Sequence, residues 1–147
     1  RGYEALEAMG ENSVRSTTSA FLSRAILEQG RHEEAERFTK VAEELGEPDD
    51  LLTQIIWRGV RARVAAGRRD VEEGERLARE AVTLAGVTDF VNFQADALLD
   101  LVAVLDAAGR RAETRPLIDE AVRLYEEKGN TVSARAARVR LRADAGA

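Results

Sequence analysis

His32-Glu33-Glu34-Ala35-Glu36-Arg37-Phe38 decides the fold, because the chain repeats its pattern twice more. Val71-Glu72-Glu73-Gly74-Glu75-Arg76-Leu77 and Arg111-Ala112-Glu113-Thr114-Arg115-Pro116-Leu117 align with it without gaps. The three copies lead on to Ala42 and Leu45, Ala81 and Leu84, and Ala121 and Leu124. Ala35, Gly74 and Thr114 stand 39 and 40 residues apart, each after a Gly-Arg pair at Gly30-Arg31, Gly67-Arg68 or Gly109-Arg110. A small residue at that point has a packing reason: two helices of a hairpin meet near their turn, where a large side chain would hold them apart. One hairpin leaves half its apolar surface in water, and stacking neighbours buries it.

Outward from these copies, apolar residues recur at helical spacing in nearly every window, as in Leu77, Ala81, Leu84 and Ala85. Glycines and caps cut the pattern into helices near 2–9, 13–29, 32–45, 50–66, 71–85, 90–108, 112–128 and 131–143. Gly30, Gly67 and Gly109 are expected as left-handed residues after their helices, and Gly46, Gly86 and Gly129 as closers of the alternate ones. Asn12, Asp50, Asp89 and Asn130 are expected as N-caps, and Pro48 stops the helix before it. Short connections make successive helices antiparallel. The reading is an all-α, right-handed superhelix of antiparallel helix pairs, a tetratricopeptide-like α-α solenoid forming one domain over 1–147. Its hairpins lie near 13–45, 50–85 and 90–128, with a capping helix at 131–143 and a frayed tail from Asp144. Arg1 in place of a methionine, followed by a helical pattern, leads us to expect a piece of a longer protein. A cut solenoid would expose an apolar end near Tyr3, Leu6 and Met9, through which a homodimer can form.

Composition narrows the function. Aromatics make up 5% of the chain and prolines number two, against a sandwich or barrel. There are no cysteines, so disulfides, cysteine zinc sites and thiol nucleophiles are excluded. No apolar run approaches the ~20 residues that span a bilayer, and a cytoplasmic location is expected. A net charge of −5 and a pI near 5.1 argue against a general nucleic-acid binder. Positive charge is nearly all arginine; with the abundant alanine this points to a GC-rich genome.

The first helix, Gly-Arg turn and Glu-Glu-Ala start resemble tetratricopeptide repeats. The period exceeds their usual ~34 residues, and the turn from Gly67 to Gly74 carries two residues more than the others. A closer resemblance covers almost the whole chain. It rests on Gln29 to Ala35, on Gln54-Ile55-Ile56-Trp57-Arg58-Gly59-Val60-Arg61-Ala62, on Thr88-Asp89-Phe90 through Ala97-Leu98-Leu99-Asp100-Leu101, and on Tyr125 to Asn130. These runs are similar to the C-terminal repeat region of large actinobacterial signalling regulators, which join an adenylate/guanylate cyclase or DNA-binding domain to an ATPase and then to helical repeats. The resemblance implies a non-catalytic interaction or scaffolding module of a signalling or transcriptional regulator. Its partner would be a protein or peptide, including another domain of the same chain. The alternative is a small-molecule effector-sensing domain controlling the attached ATPase or cyclase.

No catalytic, cofactor or metal site is expected. His32, the only histidine, has Glu36 as its one carboxylate at helical spacing, too few ligands for a metal site. Glu33-Glu34 and Glu72-Glu73 point in different directions and complement a helix dipole, and Asp49-Asp50 reads as a cap. No Gly-rich phosphate loop occurs. Arg135, Arg138, Arg140 and Arg142 make the last helix basic, suited to a solvated cap or an acidic partner. Counting back from the glycine turns places Thr17, Arg24, Gln54, Trp57, Arg58, Arg61, Asp96 and Asp106 near an inner, partner-binding groove. Trp57 with Arg58 and Arg61 is its distinctive cluster, because both residue types anchor interfaces. The competing reading, which stands ahead, has Trp57 filling core space and Arg61 pairing with a local carboxylate.

Overall fold

The structure is a computed structural model that describes residues 2–146, with side chains from Glu4 to Leu141. Among them the chain is all helix: α1 (Gly2–Glu28), α2 (His32–Leu45), α3 (Leu51–Gly67), α4 (Val71–Gly86), α5 (Val91–Ala107), α6 (Thr114–Glu127) and α7 (Thr131–Gly146). A 3-10 turn, Arg111–Glu113, leads into α6. Pro116 accounts for that turn: it has no N–H to donate to the carbonyl four residues back, and its ring crowds that carbonyl.

Each helix packs on the next, giving the hairpins α1–α2, α3–α4 and α5–α6, and α7 lies on α6. The odd-numbered helices also pack side by side, α1 on α3 and α3 on α5. The repeat positions behave as equivalents. Ala35 and Thr114 are buried, as are Ala42, Ala81 and Ala121 further along the same helices. Gly74 is the tightest case: a Cβ there would lie 3.0 Å from the Ala62 carbonyl and 3.4 Å from Val104 Cγ1.

The turns match too. Arg31 N–H bonds the Ile26 carbonyl, Asp70 the Ala65 carbonyl, Arg110 the Leu105 carbonyl and Asn130 the Tyr125 carbonyl. This is the helix-ending bond that a left-handed residue allows. Gly30, Gly109 and Gly129 take that conformation at φ 78°, 75° and 78°. In the second hairpin the position falls on Arg69, at φ 67°, and not on the expected Gly67. The two extra residues there lengthen α3, so Gly67 becomes its last residue.

Other expectations are corrected. The first two expected helices are one, because a single Gly10 lowers helix stability without ending it. Asn12 therefore caps nothing. Asp50 and Asn130 do cap, accepting from the Thr53 and Ser133 amides. Asp89 does not: the cap before α5 is Phe90, whose amide bonds the Thr88 hydroxyl instead. Residues 4–15 of α1 are exposed, Leu6 and Met9 among them. The side chains of Tyr3 and Arg142 lie outside those described, as does Ala147; α7 runs on to Gly146, past the expected end. Among the described residues no helix is long and apolar enough to cross a membrane.

Candidate functional site on the odd-helix face

Helix α3 packs against four neighbours, α1, α2, α4 and α5. At about 100° per residue, Ile56, Gly59 and Arg63 share one face, and Trp57, Arg58 and Arg61 share a different one. The first face meets α1 and α5, and the second meets α2 and α4.

On the first face sits a buried ion cluster. Asp100, in the apolar heart of α5, is 1% exposed. Arg24 of α1 grips it with both terminal nitrogens, at 2.8 and 2.7 Å, and Arg63 of α3 donates its Nε at 2.5 Å. Burial alone would raise the Asp100 pKa, but the two guanidinium charges and their hydrogen bonds outweigh it and hold the carboxyl below its ordinary range. Gly59 makes the cluster fit: a Cβ there would lie 2.1 Å from Asp100 Oδ2 and 3.1 Å from Arg24 Nη2. A glycine within a helix costs about 1 kcal/mol relative to alanine, and the carboxylate over its Cα is the reason it stands here.

Above the cluster opens a cavity of about 190 Å³ between α1, α3 and α5. Its walls are Phe21, Ile55, Ile56, Phe93 and Ala97, and its polar atoms come from Arg24, Asp96 and Asp100. Phe21 and Phe93 meet edge to face, centroids 6.3 Å apart, and Phe90 meets Phe93 in the same manner. Phe21 and Phe90 remain 45% and 44% exposed, so the rim is an aromatic surface and not core. Asp96 accepts the Tyr125 hydroxyl. Burial pushes the Asp96 carboxyl up, against that bond and the attraction of Arg24. It also pushes the Tyr125 phenol up, with the Asp96 charge acting in the same direction.

The expected groove set is thus divided. Arg24 and Asp96 reach the cavity. Asp106 lies apart, paired with Arg140 of α7. Thr17 joins α1 to α3 through Asp50 and Thr53. Gln54, Trp57, Arg58 and Arg61 form a separate network on the other side of α3. Trp57, 4% exposed, donates to Gln54 at 3.2 Å, and both guanidinium carbons lie over its ring, 4.4 and 4.5 Å from the centroid. Arg58 reaches Glu80 of α4; Arg61 reaches Glu43 and Thr39 of α2. That is the core-filling arrangement with local carboxylate pairing. Phe21, Gly59, Arg63, Phe93, Asp100 and Tyr125 were not anticipated at the site. Two signals pointed to it: a glycine within the α3 pattern, and an aspartate inside Ala97-Leu98-Leu99-Asp100-Leu101-Val102.

A second, wider cleft of about 360 Å³ follows between α3, α5 and α7, lined by Leu99, Val102, Ala103 and Val139 with Arg63 and Arg140 at its edges. Among the described residues no three His, Cys, Asp or Glu side chains gather as a metal site would require. No family model, curated protein or solved structure matches the sequence.

Proposed function

We propose that the chain is a non-catalytic interaction module of tetratricopeptide-like, right-handed superhelical type, whose odd-helix face is the inner surface and receives a segment of another protein or of the same one. In this reading it serves as a docking or scaffolding part of a larger cytoplasmic signalling or transcriptional regulator. The observation that carries the proposal is the aromatic-rimmed cavity between α1, α3 and α5. At about 190 Å³ it falls below the roughly 300–1,000 Å³ of clefts that enclose a metabolite, and it suits one anchoring side chain. Arg24, Arg63 and Asp100 beneath it are already paired with one another, so the site is organised for recognition without a convergent pair of free acid and base groups.

Panning a random-peptide display library against the purified chain tests this. Selected peptides are expected to converge on a short motif, and Phe21→Ala or Phe93→Ala should weaken their binding by about tenfold or more. Arg58→Ala, on the opposite face of α3, should leave it unchanged. Failure to converge, or binding indifferent to both phenylalanines, would overturn the docking role. The effector-sensing alternative draws on the wider α3–α5–α7 cleft. It predicts a metabolite-specific rise in melting temperature that Val139→Arg abolishes.

A further inference from the structure

The charged groups at the cavity base, Arg24, Asp96 and Asp100, are not equally satisfied. Both Asp100 oxygens are taken, one by Arg24 and Arg63 together and the other by Arg24 alone. Both terminal nitrogens of Arg24 are engaged by the same carboxylate. Asp96 differs. Its Oδ1 receives the Tyr125 hydroxyl, and Oδ2 accepts no hydrogen bond from the described residues although the residue lines the cavity. Arg24 and Arg63 are near enough to attract it but donate to Asp100. A desolvated carboxylate with an open oxygen favours a cation brought from outside.

The walls favour the same visitor. Phe21 and Phe93 offer rings whose faces attract cations, and Ile56 and Ala97 offer an apolar lining for a methylene stem. One open oxygen suits a compact ammonium with rotatable donors better than the planar fork of a guanidinium, which pairs best with two oxygens. The chain's net charge of −5 favours encounter with basic partners.

Building on the docking role proposed above, we propose that the α1–α3–α5 cavity is a lysine-recognition pocket. The alkyl stem of one partner lysine lies between Phe21, Phe93 and Ala97, and its ammonium donates to Asp96 Oδ2. Tyr125 is then a positioning residue: its hydroxyl occupies Oδ1 and leaves Oδ2 turned to the ligand.

The test is a nuclear magnetic resonance titration of the full chain with N-acetyl-lysine methylamide and, separately, with the near-isosteric but neutral N-acetyl-norleucine methylamide. The lysine probe should shift the amides around Phe93–Asp100 saturably, and bind about tenfold tighter than norleucine. Asp96→Asn, which keeps the shape and the Tyr125 acceptor, should erase that preference; Tyr125→Phe, which releases the orientation of the carboxylate, should reduce the preference without erasing it. Folding of each variant is checked by the same spectrum. Equal binding of the two probes, a lysine preference that survives Asp96→Asn, or no saturable shift from either probe would overturn the lysine pocket. The display experiment judges the docking role separately. Selected peptides that need Phe21 and Phe93 but carry no lysine would leave that role standing while removing this one.

Discussion

Two faces of helix α3 carry arginines beside aromatic surface, and they are built for different ends. Toward α2 and α4, Arg58 and Arg61 lie over a buried indole and reach across to Glu80 and Glu43. The groups there are paired within α3 or across to its neighbours, apart from Arg61 Nη2, which is buried without a hydrogen-bond partner. Toward α1 and α5, Arg63 and Arg24 close on one buried carboxylate, and the aromatic rings beside them stay partly in water around an open cavity. The same residue types therefore do not identify a binding surface. What separates the two faces is whether the aromatic surface is covered.

The comparison breaks most severely at Asp100. Asp100→Asn would leave two guanidinium groups around a neutral, poorly matched amide. Losing one partner of a buried ionic group costs about 3–5 kcal/mol, measurable by chemical denaturation. The loss should depend on pH. The folded carboxyl lies below its ordinary value of 3.8, so its contribution is complete above that value and disappears as pH falls through the lower, folded one. The stability gap between wild type and variant should be constant near neutrality and close only in strong acid; a gap that closes nearer neutrality would contradict the cluster. Next in size is Trp57→Ala, expected to cost about 3 kcal/mol or slightly more through the cavity it leaves, with peptide binding on the other face retained once folding is confirmed by circular dichroism. Arg61→Ala should cost only about 1 kcal/mol, since its ion pair is half exposed and its stacking on the ring is modest. The smallest effect is a gain. Arg69 holds a left-handed conformation that costs a non-glycine residue roughly 1–2 kcal/mol, partly offset by the greater freedom of glycine in the unfolded chain. Arg69→Gly should raise stability by up to about 1 kcal/mol, visible as a higher melting temperature; a fall would show that the Arg69 side chain contributes more than its backbone conformation costs.

The repeat register was legible in the sequence because it depends on local rules. Small residues at Ala35, Gly74 and Thr114, with the small residues that follow, suffice to pair each hairpin, and the structure buries all of them. The orientation of α3 was not legible. Ile55, Ile56, Trp57, Val60 and Val64 are all buried, so its pattern has no wet face from which to count, and tryptophan next to arginine reads alike on either side. Arg69 was missed because the glycine signal was attached to its position in sequence, while the turn requires a left-handed residue at a fixed distance before the next helix. The ion cluster joins residues 76 and 37 positions apart, a separation that no local pattern reports.

The link from Arg24 to Asp100 has a consequence for how the chain comes apart. Stacked hairpins touching only their neighbours can peel away one at a time, from either end, with graded loss of structure. Here the first hairpin grips the third directly, over the backbone of Gly59 in the second. That bridge penalises release of any one of them alone, so these three units should melt as a single all-or-none block, and whatever force or partner pulls on one end is felt two hairpins away.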